Sequence, residues 1–217
     1  MSKPPAKDHA TLMDNVYRHQ RYVYDFTRKY YLFGRDRMIR ELDLSPGERV
    51  VEVGCGTARN LIAVARRYPE TLLFGLDASQ EMLKTASEAV GRAGLEGRIK
   101  LAHGYAEDLS PSMFGEHEKF DRAVFSYSLS MIPQWQQALK MAAQSLSPSG
   151  KIHVVDFGDL TSLGLVGRKI LLWWLSLFHV VPRAELLHTL EARSAGSLCV
   201  LAGRYAFLLK ARPIEFS

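Results

Sequence analysis

The stretch that most constrains the fold runs from residue 50 to residue 60. A Val-Val-Glu-Val run ends at Val53 and leads into a Gly-x-Gly turn at Gly54 and Gly56, and a helical pattern follows over 60–68. Glycine allows a sharp bend and lets a ligand approach the backbone closely. The start of a helix adds unpaired N–H groups and a positive dipole end. The stretch therefore predicts a strand, a tight turn and a helix, with a ligand site at the turn.

The turn admits two ligand classes and one purely structural interpretation. A dinucleotide turn of the Gly-x-Gly-x-x-Gly type needs a small residue at position 59, where this chain has Arg59. The turn of S-adenosylmethionine sites is Glu/Asp-x-Gly-x-Gly-x-Gly, and here Glu52 opens it while Ala58 takes the third glycine place. A carboxylate suits a ligand that carries an ammonium and a sulfonium. A structural turn in some other α/β protein stays open.

Length and cysteine content limit the class of protein. The 217 residues, 47% of them hydrophobic, suffice for one large domain with additions. Two cysteines, Cys55 and Cys199, indicate no disulfide framework and favour a reducing compartment. Residues 1–10 contain no apolar run, so we expect no signal peptide.

The net charge of +5 is unevenly distributed along the chain. Residues 1–40 carry +5, residues 41–159 carry −4 and residues 160–217 carry +4. Basic ends suit an anionic bilayer or a nucleic acid, although a solvated face without a partner is an equal alternative. In the N-terminal helical pattern tyrosines alternate with arginines on all sides, which suits a packed lid better than a phosphate-facing stripe. We therefore expect no nucleic-acid partner.

Strand and helix patterns alternate after residue 45, which indicates a parallel sheet with helices on both faces. The expected strands are 50–53, 71–76, 99–102, 120–127 and 151–157, and the expected helices are 60–68, 79–93 and 134–146, the last closed by a Ser-Pro-Ser-Gly turn at 147–150. Segments 198–201 and 205–211 predict an antiparallel hairpin at the sheet edge. The expected fold class is α/β, Rossmann-like, with a seven-stranded, mostly parallel sheet and an antiparallel C-terminal hairpin strand.

Two segments stand apart from this alternation. Residues 12–42 predict two helices with a break at Gly34, so we divide the chain into a helical lid at 1–45 and the main domain at 46–217. The main domain contains an apolar insertion at about 160–182 with two tryptophans, Trp173 and Trp174. Its apolar run is shorter than the roughly 20 residues that cross a bilayer. We expect it to lie at a membrane surface, with an ordinary buried helix as the alternative.

Carboxylates and small residues at the predicted strand ends make up the expected cofactor site. Asp77 ends the second strand, where a carboxylate can accept from both ribose hydroxyls of an adenosine. The loop after the third strand is expected to hold the adenine, with Tyr105 where the usual pattern has Asp. We predict no metal site. The expected cofactor-binding residues are Glu52, Gly54, Cys55, Gly56, Thr57, Asn60, Asp77, Ala78, Ala106, Glu107, Ser126, Tyr30 and Arg35.

The acceptor is expected at segment 125–133, which leaves the fourth strand at the carboxyl edge of the sheet. An amine acceptor must lose a proton before it attacks, and the candidates that receive this proton are Tyr127, His19 and Asp156. The lid would align the reactants and exclude water, since methyl transfer needs little covalent help. Tyr30, Tyr31 and Arg35 are expected over cofactor and acceptor, where aromatic rings attract cations. The expected catalytic residues are Tyr127, Tyr31 and His19.

Beyond these patterns, the chain resembles class I S-adenosylmethionine-dependent methyltransferases over about 50–211, and most closely the bacterial betaine-lipid N-methyltransferases. The closer resemblance lies in Tyr-Arg-His-Gln-Arg at 17–21, in 24–37, in Tyr-Ser-Leu-Ser-Met-Ile-Pro at 127–133, and in 178–183. It implies addition of three methyl groups to the amine of diacylglycerylhomoserine. Phosphatidylethanolamine or a soluble amine is the alternative acceptor.

The same resemblance implies partners and a location. The partners would be a diacylglyceryl lipid substrate, an anionic membrane surface and an upstream homoserine-lipid synthase. The protein would be cytoplasmic and peripherally bound to the inner face of the cytoplasmic membrane. An arginine would bind the acceptor's carboxylate, and Arg18, Arg35 and Arg183 are equal candidates.

Overall fold

The structure, a computed structural model, describes residues 32–161, 164, 167, 169, 171–173, 184–193 and 198–216. Its strands are β1 (Arg49–Val53), β2 (Leu72–Asp77), β3 (Ile99–His103), β4 (Phe120–Ser126), β5 (Leu146–Phe157), β6 (Leu198–Leu201) and β7 (Ala206–Ala211). Its α-helices include α1 (Arg35–Glu41), α2 (Arg59–Arg67), α3 (Gln80–Arg92), α4 (Trp135–Ser145) and α5 (Ala184–Arg193).

The seven strands form one sheet in the order β3-β2-β1-β4-β5-β7-β6. Strands β1 to β5 pair in parallel, and β7 runs antiparallel to both of its neighbours, β5 and β6. The fold class predicted from the sequence is confirmed. The strand order reverses between β1 and β4, and in such sheets ligands bind at this switch point, outside the carboxyl ends of the strands.

Helices cover both faces of the sheet. One apolar core lies beneath α1, α2 and α3 and includes Met38, Leu61 and Val90, whereas the second lies beneath α4 and α5. Strand β1 supplies both cores, since Val50 belongs to the first core and Val51 to the second. Burial on both faces explains why β1 is an almost continuous apolar run.

The expected turn at 147–150 lies inside β5, close to the junction with α4. β5 begins at Leu146, directly after the helix, and the pairing with β4 shifts register between Phe120 and Arg122. Phe120 pairs with Leu146 and Arg122 with Lys151, so the Ser-Pro-Ser-Gly segment forms an irregularity within the strand. The segment folds back on itself, since a Cβ on Gly150 would lie 2.9 Å from the Ser147 carbonyl oxygen, so the expected turn interrupts β5.

The described end of the N-terminal extension packs on the carboxyl side of the sheet. Gly34 has φ +88°, and a Cβ there would lie 2.7 Å from Cδ1 of Leu201, so only glycine fits this approach. The Phe33 ring contacts the Tyr205 ring edge-on, with centroids 5.4 Å apart. The second predicted helix of the lid is therefore confirmed as α1. The first one lies outside the described residues, and the domain division at residue 45 stays a prediction.

Only part of the apolar insertion is described. Trp173 is 65% exposed, while Leu171 and Leu172 pack against the first core. Trp174 and the rest of 174–183 lie outside the described residues. Among the residues that the structure describes, no helix has the length and apolarity needed to cross a bilayer.

Candidate cofactor site

The glycine turn lies between β1 and α2 at the carboxyl edge of the sheet. Gly54 and Gly56 have φ +75° and +53°. The N–H groups of Gly54 and Cys55 donate to the Leu76 carbonyl at 2.8 and 3.0 Å, which ties the turn to β2. Ala58 also has a positive φ, +61°, at the position before α2. This is a backbone conformation that glycine adopts without strain, which explains the usual glycine there.

The Asp77 carboxylate connects the glycine turn to the segment between β2 and α3. Its Oδ2 accepts from the Gly56 N–H at 2.7 Å and its Oδ1 accepts from the Ser79 N–H at 2.9 Å. A carboxylate offers about four acceptor positions, and these two N–H groups take one on each oxygen. The side chain predicted to bind the ribose therefore also fixes the glycine turn.

Glu52 is buried, at 2% exposure, beneath the first turn of α2. Its Oε1 accepts a hydrogen bond of 2.7 Å from Nδ2 of Asn60. The sequence predicts Asn60 as a cofactor contact, and the structure shows its amide holding the Glu52 carboxylate. This bond fixes the helix start relative to β1.

Two other predicted contacts of the turn differ in exposure. Cys55 is buried, and burial, followed by the nearby charges of Asp77 and Glu52, holds the pKa of its thiol well above the usual value. The thiol therefore stays protonated and acts as a small apolar group. Thr57 is half-buried and lines a surface groove between α2 and α3.

The loop after β3 lies beside β2, as an adenine-binding loop would. Ala106 begins a 3-10 turn, Ala106–Asp108, and is buried. Glu107 Oε1 accepts from Nε2 of Gln134 at 3.4 Å on the surface. Nε2 of His103 lies 3.1 Å from the carbonyl oxygen of Ala78. The predicted contacts Ala78, Ala106 and Glu107 thus lie in consecutive segments of one edge, and their cofactor roles stay predictions.

On the acceptor side, Tyr127 follows β4 in the left-handed region with φ +56°. Its ring is buried, and its hydroxyl donates to the Phe33 carbonyl at 2.6 Å. A phenol that holds a main-chain carbonyl in this way links the sheet to the N-terminal extension. Its role as a proton acceptor stays a prediction.

Two further residues predicted on the acceptor side, Asp156 and Arg35, lie within the described part of the chain. Asp156 is fully buried and accepts from the N–H groups of Ser130 and Phe157, at 3.0 and 2.8 Å. Arg35 is buried at the first position of α1. The other predicted residues, His19, Tyr30 and Tyr31, lie outside the described residues.

Sequence reasoning placed the acceptor at segment 125–133, which contains three serines, and it did not consider one histidine. Ser128 and Ser130 follow the predicted Ser126, and all three are buried. His153 lies inside β5, where burial, more than the nearby cationic side chains, lowers its pKa to about 3. A histidine with this pKa is too weak a base to take a proton from an ammonium group.

The residues present fit S-adenosylmethionine better than a pyrophosphate ligand. The turn combines main-chain N–H groups and a glycine-only approach with two carboxylates, Glu52 and Asp77, at the ends of β1 and β2. Arg59, at the helix start, is exposed and pairs with Asp36 at 3.2 Å. Asp77 suits the ribose of either ligand class, whereas Glu52 at the turn would repel a pyrophosphate and attract an ammonium and a sulfonium. This charge pattern agrees with the interpretation of the turn from sequence.

Known proteins point to the same fold and cofactor. Residues 50–150 match a family described as a methyltransferase domain. The demethylmenaquinone methyltransferase of Bacillus cytotoxicus is 33% identical over 131 residues, covering 60% of this chain and 53% of that protein. The chain thus spans about half the length of this relative. The ubiquinone/menaquinone biosynthesis C-methyltransferase UbiE of Syntrophotalea carbinolica is 29% identical over 184 residues, covering 82% of this chain and 72% of that protein.

A solved structure extends the likeness to nearly the whole chain. An S-adenosylmethionine-dependent methyltransferase from Aquifex aeolicus has a TM-score of 0.62 at 17% identity, covering 96% of this chain and 98% of that one. This likeness concerns the fold. Together with the methyltransferase-domain match at 50–150 and the charge pattern of the turn, this shared fold indicates S-adenosylmethionine as the cofactor.

Proposed function

We propose that the protein transfers methyl groups from S-adenosylmethionine to the amine of diacylglycerylhomoserine, forming its trimethylated betaine lipid. The observation that carries methyl transfer is the pair Glu52 and Asp77 around a glycine turn at the switch point of the sheet. The choice of acceptor is supported by the resemblance of 17–37, 127–133 and 178–183 to betaine-lipid N-methyltransferases. An acceptor with a free amine also suits a site edge that contains buried carboxylates.

The chemistry asks for alignment more than for covalent help. When bound, S-adenosylmethionine supplies a methyl group on a positively charged sulfur. The acceptor nitrogen shares its lone pair with the methyl carbon, while the carbon–sulfur bonding pair stays on sulfur. The proton on the methylated nitrogen then leaves through water or a side chain, and the amine can react again. The chain's task is to hold a neutral amine in line and keep water out.

The test is a direct comparison of acceptors. Purified protein is given S-adenosylmethionine and diacylglycerylhomoserine in detergent micelles, and lipid mass spectrometry follows the products. We expect mass increases that correspond to one, two and three methyl groups. In cells, we expect the trimethylated lipid only when the homoserine-lipid synthase is co-expressed. Absence of any methylated lipid in both settings would contradict the proposal.

A second candidate, C-methylation of a quinol ring, is favoured by the relatives, several of which are demethylmenaquinone methyltransferases. Methylation of a ring carbon requires that a base remove the proton of a ring hydroxyl, whereas methylation of nitrogen requires that the amine be neutral. The same assay therefore includes reduced demethylmenaquinone as a parallel acceptor. Transfer to the quinol without transfer to the amine lipid would replace the first candidate by the second.

We further propose that the protein acts at the anionic inner face of the cytoplasmic membrane, and that, besides the apolar insertion at about 160–182, the arginine-bearing face of α2 beside α3 meets the lipid head groups. Helix α2 carries Arg59, Arg66 and Arg67 and no acidic residue. With α3 it borders a groove of about 440 Å³. The groove is lined by Thr57, Arg59, Ile62, Ala63, Arg66, Thr85, Ala89 and Arg92, a set without a carboxylate.

If this face binds the membrane, the effect of a charge reversal on vesicle binding should depend on where the substitution lies. Arg66→Glu should lower co-sedimentation with phosphatidylglycerol vesicles severalfold, since one basic residue near such a surface contributes about 1 kcal/mol. Lys140→Glu is the matched control, because Lys140 is exposed on α4, whose packing residues belong to the second core. An equal loss in both variants would mean that net charge alone acts, and would contradict a specific face.

A further inference from the structure

Three serines, at the end of β4 and in the turn that follows it, are buried with unsatisfied hydroxyls. Ser126, Ser128 and Ser130 are 7%, 6% and 4% exposed. Among the residues that the structure describes, none of their three hydroxyl oxygens has a hydrogen-bond partner. A buried hydroxyl without a partner destabilises the folded state, because it has lost its bonds to water. Three of them within so short a segment therefore require an explanation.

Loose packing of the turn is not that explanation. The Tyr127 N–H donates to the Val155 carbonyl at 2.7 Å, and the Ser130 N–H donates to Asp156 Oδ2 at 3.0 Å. The Met131 N–H donates to the Ser128 carbonyl at 3.0 Å. The backbone of the turn is thus firmly bonded while its serine hydroxyls are not.

Buried serines elsewhere in the described chain do have partners. The Ser79 hydroxyl oxygen accepts from the Met82 N–H at 3.3 Å, and the Ser145 hydroxyl donates to the Leu109 carbonyl at 3.0 Å. The buried, unsatisfied serine hydroxyls within the described residues all come from this one turn. Because these hydroxyls cluster in one segment instead of being spread over the fold, we attribute them to a function of this turn.

The turn lies beside the cofactor site. Ser128 Cβ is 2.6 Å from the position that a Cβ on Gly54 would occupy. Val53 pairs with Phe125, which places Ser126 next to Gly54 in the same register. The serines therefore lie where β1 and β4 diverge, at the switch point between the strands. Tyr127, between two of them, has a positive φ, a strain that clusters at functional sites.

We infer that these three hydroxyls form the subsite for the acceptor's head group, which moves Ser126 from the predicted cofactor contacts to the acceptor side. The group they take is a zwitterionic amino-acid head group. This inference rests on the proposed function. A serine hydroxyl both donates and accepts, so three of them in one segment can accept from an amine N–H and donate to a carboxylate. A quinol ring offers hydroxyls but no carboxylate. Such a subsite rejects acceptors that leave its buried hydroxyls unpaired.

The test separates stability from recognition. Ser126→Ala, Ser128→Ala, Ser130→Ala and the triple variant are compared with wild type by thermal melting, S-adenosylhomocysteine calorimetry and initial rates with diacylglycerylhomoserine. We expect an unchanged or higher Tm, because a methyl group replaces an unsatisfied hydroxyl. The KM for the lipid should rise about tenfold for each hydrogen bond to a charged group that the substitution removes. The dissociation constant of S-adenosylhomocysteine should change less than about twofold, because these hydroxyls would not touch the cofactor.

Ser145→Ala serves as the matched control, since Ser145 is similarly buried but bonded to the Leu109 carbonyl. It should lower Tm and leave the lipid KM unchanged. A fall in Tm of the same size in the turn variants would make their hydroxyls structural and overturn the inference. A parallel loss of S-adenosylhomocysteine affinity would assign them to the cofactor instead, which also overturns it.

Two outcomes distinguish this inference from the proposed function. Wild-type protein that methylates the quinol alone overturns both the proposed function and the zwitterionic head group. Wild-type protein that methylates the amine lipid, with an unchanged KM in the triple variant, overturns the subsite alone.

Discussion

Gly54→Ala should lower the free energy of unfolding by about 2–5 kcal/mol, the sum of two effects, and should abolish S-adenosylhomocysteine binding. The residue has φ +75°, where a Cβ destabilises by about 1–2 kcal/mol. The new Cβ would also lie 2.6 Å from Ser128 Cβ, and such overpacking adds about 1–3 kcal/mol. Relief of the clash would separate the glycine turn from the β4 turn. Chemical denaturation measures the stability, and calorimetry measures the binding.

Gly47→Ala is the control that separates backbone strain from the clash. Gly47 has a similar φ, +81°, but no atom lies within 4 Å of the position of its Cβ. We expect only the conformational effect, about 1–2 kcal/mol, with cofactor affinity intact. Equal destabilisation of the two variants would show that β1 and β4 do not press together at Gly54.

Asp77→Ala should raise the dissociation constant of S-adenosylhomocysteine at least about tenfold, because the variant loses one hydrogen bond to a charged group. The variant removes the predicted ribose acceptor. It also frees the Gly56 and Ser79 N–H groups, which Asp77 holds at 2.7 and 2.9 Å. Calorimetry measures the affinity, and thermal melting measures the separate effect on stability.

Asp121→Ala provides the matching control at the other end of the sheet. Asp121 Oδ2 also accepts a main-chain hydrogen bond, from the Arg49 N–H at 2.9 Å, but at the start of β1. Its loss should lower stability without changing cofactor affinity. An Asp77→Ala protein that binds S-adenosylhomocysteine as tightly as wild type would remove Asp77 from the site.

Local sequence patterns predicted most of the fold because they depend on neighbouring residues. The run before Gly54 and the helical period after it place β1 and α2 within a residue or two of their observed bounds. The hairpin at 198–211 follows from two apolar segments around Ala202-Gly203. The segment 147–150 turns as its Ser, Pro and Gly content predicts, but only the pairing of β4 with Leu146 and Lys151 on both sides places this turn inside β5.

The cofactor site was predictable in part for the same reason. The glycine turn and the carboxylate at Asp77 have a recognisable spacing along the chain. The bond from Asn60 to Glu52 joins neighbouring elements, but sequence alone assigned Asn60 to the cofactor. The unsatisfied serine hydroxyls were out of reach, because satisfaction of a buried polar group depends on every atom around it.

The sequence by itself determined a parallel α/β sheet with a glycine turn between carboxylates, since periodicity and turn chemistry are local. Only the tertiary structure decided that Ser128 presses against Gly54 and that Tyr127 holds the Phe33 carbonyl. Residues 54 and 128 are distant along the chain, and so are residues 33 and 127. Their contact exists because β1 and β4 are neighbours in the sheet and the N-terminal extension packs across their carboxyl ends.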